Sequence, residues 1–469
     1  MLFRSALQQE YVAGIGQYER MFKAFGLTLK TTLGPVNVTS VSGYTSDSFH
    51  DYFDYTVGLG GPGPNSLVYQ QFGVAGAPIF SNQDNRSITE ELRFSGSITS
   101  FFDWTLGLYY QHTDTPFFDE ILATDPTTGH LAGVEEFFST PSIGTNRDAY
   151  SNFTFHLTDR LDVQFGGRES YQAGSTPSNV WIGPYNQTEG VCTAFVCPQP
   201  NYPSHSHAFT YLFTPSYKFS ADLMLYARLA SAFIGGGENF DAGPGVPPVF
   251  GPEKTKNYEI GLKGIVVDNA LSFDVSLYTI NFIGLQNEFY NNTSKLSYTA
   301  NAGAAVSRGI ELTTHANPAS NTNIDAWVVI SDAHLTDIPL GVITAEINEG
   351  LQPEALGEPL PDSDRFSANL ALTQNFSLPG NWKGFAGGAI SYIGQRAGPF
   401  TAGPQPSYPC YAKMDLQAGA KRDGWSMNFY VNNIADRRGI ISADNQAVIL
   451  YNRYYVQPRT IGITVARTF

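Results

Sequence analysis

The chain has 469 residues, of which 42% are hydrophobic, 14% aromatic and 15% charged. Its formal net charge of −15 excludes the basic footprint that nucleic-acid binding needs. No run of about 18 apolar residues occurs, which excludes a transmembrane helix. The start, Met-Leu-Phe-Arg-Ser-Ala-Leu, lacks a charged segment followed by a long apolar core, so it is not expected to be a signal peptide.

In chain order, residues 1–19 form an undetermined remnant. A strand is predicted over Arg20–Thr31, a turn at Leu33-Gly34-Pro35, and a return over Val36–Asp51. A Gly- and Pro-rich loop runs to Asn85. Strands follow at Ser87–Ser95 and Phe102–His112, where Trp104, Leu106, Leu108 and Tyr110 alternate with smaller residues. A long loop from Thr113 to Thr145 leads to Asp148–Leu157 and Leu161–Gln172, joined at Thr158-Asp159-Arg160. Another long loop precedes Ala208–Phe219 and Leu223–Phe233, and Gly235-Gly236-Gly237 opens a loop to Lys254.

The clearest hairpin is Tyr258 to Leu277. Tyr258, Ile260 and Leu262 share one face opposite Glu259, Gly261 and Lys263. Beyond a turn at Asp268-Asn269, Leu271, Phe273, Val275 and Leu277 oppose Ser272, Asp274 and Ser276. Period two means strand, and an Asp inside such a strand is natural only if that face lines water. Gly309–Ala316 and Asn323–Ser331 are predicted to meet at Asn317-Pro318. Arg365–Leu378 and Gly384–Gly394 meet at Pro379-Gly380-Asn381, and Met414–Lys421 and Trp425–Asn432 at Arg422-Asp423-Gly424. Thr460–Phe469 is the last strand.

This gives about 17 strands whose connections alternate short and long. Length alone allows about three ordinary domains, but one large barrel uses as many residues. Outer-membrane barrels have short periplasmic turns and long extracellular loops, and about 10 tilted residues cross their apolar band. Trp104, Tyr258 and Trp425 near strand ends suit its aromatic girdles. The fold class is therefore all-β, a transmembrane antiparallel up-and-down barrel over residues 20–469. The alternative is a large soluble all-β protein, a propeller or a β-helix, but a propeller would repeat every ~40–50 residues, no internal repeat is present, and the loops are too uneven.

Several segments resemble the TonB-dependent receptors of the Gram-negative outer membrane. Glu90-Glu-Leu-Arg-Phe94 resembles an early barrel strand, and Tyr258-Glu-Ile-Gly-Leu-Lys-Gly264 a mid-barrel signature. Asn301-Ala-Gly leading to Gly309-Ile-Glu-Leu312 resembles the one after it. Asn432-Asn-Ile-Ala-Asp-Arg437 resembles the late motif, and Pro458 to Phe469 the last strand with its terminal Phe. The resemblance implies a barrel of about 22 strands with an N-terminal plug and a coupling segment ahead of it. About five strands, the plug and the coupling segment are not found in this chain, which reads as an N-terminally truncated barrel.

The implied function is energised, TonB-coupled uptake of a scarce ligand such as a ferric siderophore, without bond chemistry. The implied partners are outer-membrane lipid, the TonB complex in the intact receptor and a small iron chelate. A monomer with no cofactor, no nucleic acid and no enzymatic activity is expected. A passive porin or a non-transporting surface β-protein are the alternatives. Porins close with fewer strands, and the late motif and loop lengths favour the receptor.

By strand parity Arg168, Gln172, Gln286, Glu288 and Tyr430 could point into the upper lumen and contact ligand. Glu259, Lys263, Asp274 and Asp415 are expected to form wall ion pairs or plug contacts near the short turns. Cys192 and Cys197 either close a small loop disulfide in an oxidising compartment or stay as unpaired loop thiols. No second ligand pair stands at metal spacing, so no metal site is expected. His205 and His207 read as loop polarity. Arg467, on the face of Val465, is expected to snorkel to the periplasmic headgroups.

Overall fold

A computed structural model describes residues 11–56, 61, 63–177, 180–183, 196–198, 201–239, 246–291, 296–338, 356–398, 400, 405–443 and 453–468. Seventeen long strands, between 8 and 21 residues each, carry it. They are β1 (Gln17–Leu33), β2 (Val36–Asp54), β3 (Pro78–Ile98), β4 (Phe102–Thr115), β5 (Ser142–His156), β6 (Leu161–Ser175), β7 (Ser204–Ser220), β8 (Leu223–Ile234) and β9 (Glu253–Val266). They continue as β10 (Leu271–Ile283), β11 (Ala304–Ala319), β12 (Thr322–Asp337), β13 (Phe366–Leu378), β14 (Trp382–Ile393), β15 (Tyr411–Arg422), β16 (Trp425–Asn432) and β17 (Thr460–Arg467). Each pairs antiparallel with its predecessor, giving an up-and-down meander.

The alternation of short and long connections is as the sequence implies. Short turns join β1–β2, β3–β4 and every later such pair at one end, and the long connections lie at the other. At Asp423-Gly424 both residues have positive φ, 50° and 80°. That is the mirror-image turn whose twist matches the flanking strands. Asn317-Pro318 differs from expectation. It lies within β11, at an irregularity between Ala316 and Ala319, and the turn falls at residues 320–321. A bulge accommodates a residue that cannot donate to the ladder.

Period two separates the faces. Leu106, Leu108, Phe165, Ile260, Leu277, Ile310, Leu370, Leu416, Phe429 and Ile463 all project outward and are exposed, Ile463 by 64%. So continuous an apolar surface is what a soluble protein avoids and what lipid contact requires. Among the described residues no helix is long and apolar enough to cross a membrane; the strands cross. Arg467 at the short-turn rim lies 5.1 Å over the Trp425 ring, a cation–π contact.

β1 and β17 form the two edges. Among the described residues β1 pairs only with β2, and β17 only with β16. Both run toward the short-turn end, so the two cannot pair with each other antiparallel.

The strands are longer than predicted, chiefly at the long-connection end. β3 spans Pro78–Ile98 where Ser87–Ser95 is expected, and β1 begins at Gln17. The long connections also carry structure: helix α1 (Leu67–Phe72) and hairpins Phe117–Thr124 with Leu131–Ser139 and Gln286–Asn291 with Leu296–Asn301. α1 packs Val68 against Ala77, Ile79, Ile121 and Ala123. This small dry core holds the Phe117–Ser139 hairpin onto the top of β3.

Glu135, in a bulge of that hairpin, is fully buried, and among the described residues neither carboxylate oxygen has a hydrogen-bond partner. Burial pushes its carboxyl up to about 7, and pushes Asp119, beside Ser81, up to about 6. The folded hairpin therefore holds a proton on Glu135 that the open hairpin releases. Its stability is full below the ordinary Glu range and falls as pH rises through about 7, by roughly 3 kcal/mol for Glu135. Hydrogen exchange of the 117–139 amides should show protection higher at pH 5 than at pH 8. Glu135→Gln should flatten that dependence.

Candidate functional site: the lumen wall

Opposite the apolar surface, the inner face of β3–β6 carries a polar lattice. Register places Glu91 across from Tyr109, Tyr109 across from Asp148, and Tyr150 across from Arg168. Arg93 donates from one nitrogen to both Glu91 oxygens at 2.8 and 2.9 Å, and from Nε to the Tyr150 hydroxyl at 3.2 Å. The Tyr150 hydroxyl donates to Glu91. Arg168 donates to Asp148 Oδ2 at 2.6 Å, with its guanidinium 5.6 Å over the Tyr109 ring. Asp148 is 3% exposed and Arg168 47%. The cation is thus held at one end by a buried carboxylate and open at the other. Gly107 is required here, because a Cβ on it would collide with the Tyr150 ring.

A second patch lies on β8–β11. Tyr226 donates to Glu259 at 2.6 Å, and Lys263 pairs with Asp274 at 2.8 Å. Lys263 and Arg228 lie 5.2 and 5.7 Å from the Tyr226 ring. With Tyr278 and Glu311 these residues line a cavity of about 410 Å³. Glu259, Lys263 and Asp274 thus join a wall network. Asp415 departs from expectation. It sits toward the long-connection end, paired with Lys413 at 3.0 Å and accepting from the Asn433 amide at 2.8 Å.

The five residues singled out from sequence are not gathered at one point. Arg168 and Gln172 share the inner face of β6, Gln172 nearer the long connections and across from Asn146 and Ser206. Gln286 is committed to the backbone: its side chain donates to the carbonyls of Gly235 and Gly251 at 2.9 and 3.0 Å. Glu288 is exposed on the Gln286–Asn301 hairpin. Tyr430 faces inward on β16, against Gly462 and far along the sheet from Arg168. Cys192 lies outside the described residues, and Cys410 is free and exposed. His207 faces outward, 3.2 Å from Glu169.

Sequence reasoning missed Tyr109, Asp148, Tyr150 and Tyr226, because only the register shows which residue faces which. Glu91 and Arg93 were open to inspection, two apart in Glu-Glu-Leu-Arg and so on one face.

The motif asparagines have physical tasks. Asn301 accepts from the Gly251 amide at 2.7 Å and donates to the carbonyls of Gly251 and Gly284, clamping two long connections together. Asn433 is 1% exposed with φ 51°. It donates to the carbonyls of Arg437 and Gln457 and accepts from the Arg437 amide. Asp436 accepts from the Arg459 amide at 2.9 Å, which with Arg438 and Arg459 nearby holds its carboxyl below the usual range.

A family model described as the TonB-dependent receptor-like β-barrel matches residues 8–434. The chain belongs to the TonB-dependent receptor family. Receptors of this family are β-barrels of the Gram-negative outer membrane, which sets the long connections outside and the short turns at the periplasm. Solved structures agree in fold. The ferric yersiniabactin uptake receptor FyuA of Yersinia pestis is 18% identical with a TM-score of 0.73, over 96% of this chain and 62% of that one. The siderophore receptor PiuA of Acinetobacter baumannii is 14% identical with a TM-score of 0.68, over 96% and 64%. The ferric-catecholate import receptor Fiu of E. coli K12 is 12% identical with a TM-score of 0.71, over 98% and 65%. The chain therefore spans less than two thirds of each of these receptors.

Asn433→Ala in this receptor barrel should cost about 2 kcal/mol, since buried amides and carbonyls lose their partner and a left-handed backbone loses a residue that tolerates it. Faster hydrogen exchange confined to residues 433–439 and 453–459 checks it.

Proposed function

We propose that this chain is the barrel wall of a receptor for energised, TonB-coupled uptake of a scarce ligand, most simply a ferric siderophore-type chelate. The observation that carries this reading is Arg168. It is a half-exposed cation on the lumen face, anchored by a buried carboxylate and backed by Tyr109. A cation preorganised in that way suits an anionic, oxygen-rich chelate entering from the long-connection side, because part of the ordering cost is met before binding. Gln172, on the same face of β6, extends the contact with neutral hydrogen-bonding groups. Glu288 and Tyr430 belong to other stretches of the mouth and wall. Gln286 acts by holding the connections that shape the mouth. The ferric yersiniabactin uptake named for FyuA, the ferric-catecholate import named for Fiu and the siderophore receptor PiuA support the ligand class. In this reading the intact receptor works as a monomer, needs no resident cofactor, and draws on the TonB complex for release of the ligand inward.

The test uses the full chain in detergent micelles and two probes, a ferric tris-catecholate and a ferric tris-hydroxamate, followed by fluorescence quenching. Arg168→Gln should weaken binding of the anionic catecholate complex about tenfold or more, with Arg168→Lys intermediate. Equal binding to all three proteins, with strand content unchanged, would remove Arg168 from the site and this reading with it.

A further inference from the structure

The outer face of β9 changes character along its length. From the short turn upward, Val266, Ile260 and Tyr258 point to lipid and are exposed. Residues 258–266 use up the apolar band, which about 10 tilted residues cross. Tyr258 stands at its upper boundary, where an aromatic ring with a polar tip belongs. The next two positions on the same face are Lys256 and Lys254. Both ammonium groups therefore stand just above the lipid band, on the extracellular side and outside the lumen.

The neighbouring strands leave these charges unmatched. Register sets Lys254 between Phe233 and Ile283, and Lys256 between Ser231 and Asn281, so neither has a carboxylate as its partner. Glu253 and Glu259 lie on the opposite face, where they accept from the Gln286 amide and the Tyr226 hydroxyl. Both lysines are exposed, and among the described residues neither makes an ion pair. Arg308 on β11 extends the strip. It points outward beside Ile310, is 62% exposed and gives one nitrogen to Asp332 at 3.2 Å. Other outward charges are arranged differently. Arg86 pairs with Asp84 and Glu169 with His207. Arg147 has Glu169 diagonally across on the next strand, and Lys23 is the one outward cation of β1. Only β9 repeats an outward cation at successive positions of one face among the described residues.

We infer that Lys254, Lys256 and Arg308 form a binding site for the phosphorylated headgroup of an outer-leaflet lipid, whose acyl chains lie along Ile260, Leu277 and Ile310. Positions two apart on a strand are about 7 Å apart. The flexible lysine stems let both ammonium groups converge on one phosphate, whose oxygens are strong acceptors. The Asn281 side chain, register partner of Lys256, stands within the same strip. Position decides among the anions that such a strip could hold. A free phosphate would leave the exposed Ile260, Leu277 and Ile310 directly below without a role. An acidic polypeptide would have to enter hydrocarbon to cover them. A phosphorylated lipid meets the cations and the apolar surface together. The rest of the molecule sharpens the selectivity. A chain of net charge −15 has no general attraction for anions, so an anionic lipid that stays bound does so through a local site.

The experiment uses the full chain in non-ionic detergent micelles and reads bound lipid by native mass spectrometry. The probes are dimyristoyl phosphatidic acid, dimyristoylglycerol, which has the chains without the phosphate, and glycerol phosphate, which has the phosphate without the chains. Phosphatidic acid should be retained and the other two should not. Lys254→Gln and Lys256→Gln should each weaken retention about fivefold and the double variant about 25-fold, while Lys23→Gln on the outer face of β1 should leave it unchanged. Equal retention of phosphatidic acid and dimyristoylglycerol would overturn the inference whether or not the variants fold. So would undiminished retention by a double variant of unchanged strand content. Displacement of the lipid by an equal concentration of glycerol phosphate, or of the acidic peptide Gly-Asp-Gly-Asp-Gly, would also overturn it, because the strip would then recognise charge without the chains.

Discussion

Everything in this molecule follows from one requirement: in hydrocarbon, each backbone N–H and C=O must be paired within the protein. A meander of consecutive antiparallel strands meets it for all but the outermost two. The same requirement sets the face chemistry. Since residues alternate sides along a strand, a wall with lipid outside and water inside must alternate apolar and polar residues throughout. Ile260 beside Glu259 and Gly261, or Met414 and Leu416 beside Asp415, are local expressions of that rule. It also gives the edges their meaning. β1 and β17 descend in the same direction, so antiparallel closure between them needs an odd number of further strands. Copies embedded with the same orientation present the same descending edges to one another and meet the same obstacle.

A water-lined wall changes the economics of charge. In a dry core Arg168 and Asp148 would each carry a large desolvation penalty. Here only Asp148 is buried, and Arg168 keeps one side in water. Glycines make room for the aromatic members of this wall. Gly107 seats Tyr150, and Gly261 seats Tyr226. The glycine in Tyr-Glu-Ile-Gly-Leu-Lys-Gly is therefore a packing site: its missing side chain lets Tyr226 lie flat and reach Glu259.

The strand count, the order of short and long connections and the inner face of the Tyr258–Leu277 hairpin were legible because period two is a strong, local signal. What escaped was non-local or lay above the membrane. Beyond the lipid band the outer face meets water, so alternation weakens. The first residues of β3, from Pro78 to Arg86, therefore read as loop although they pair with β2 along their length. Asn317-Pro318 carries a turn signature, yet a bulge absorbed it and moved the turn on. Of the candidate site, Arg168, Gln172 and Tyr430 lie on the inner face of their strands. Parity cannot show that Gln286 is consumed by two backbone carbonyls, nor that Tyr109 and Asp148 frame Arg168, because both depend on which strand lies beside which.

The two ends of the wall are built on opposite principles. At the extracellular end, side-chain amides do the holding. Asn301, Gln286, Asn239 and Asn433 clamp carbonyls and amides of the long connections, which keeps backbone satisfied where the ladder has ended. At the periplasmic end the turns are tight, short hydroxyl side chains such as Thr158 and Ser220 cap them, and longer charged side chains meet one another. His156 can bridge Asp103 and Asp162 at 3.0 and 2.7 Å, while Lys383 and Lys421 stand opposed.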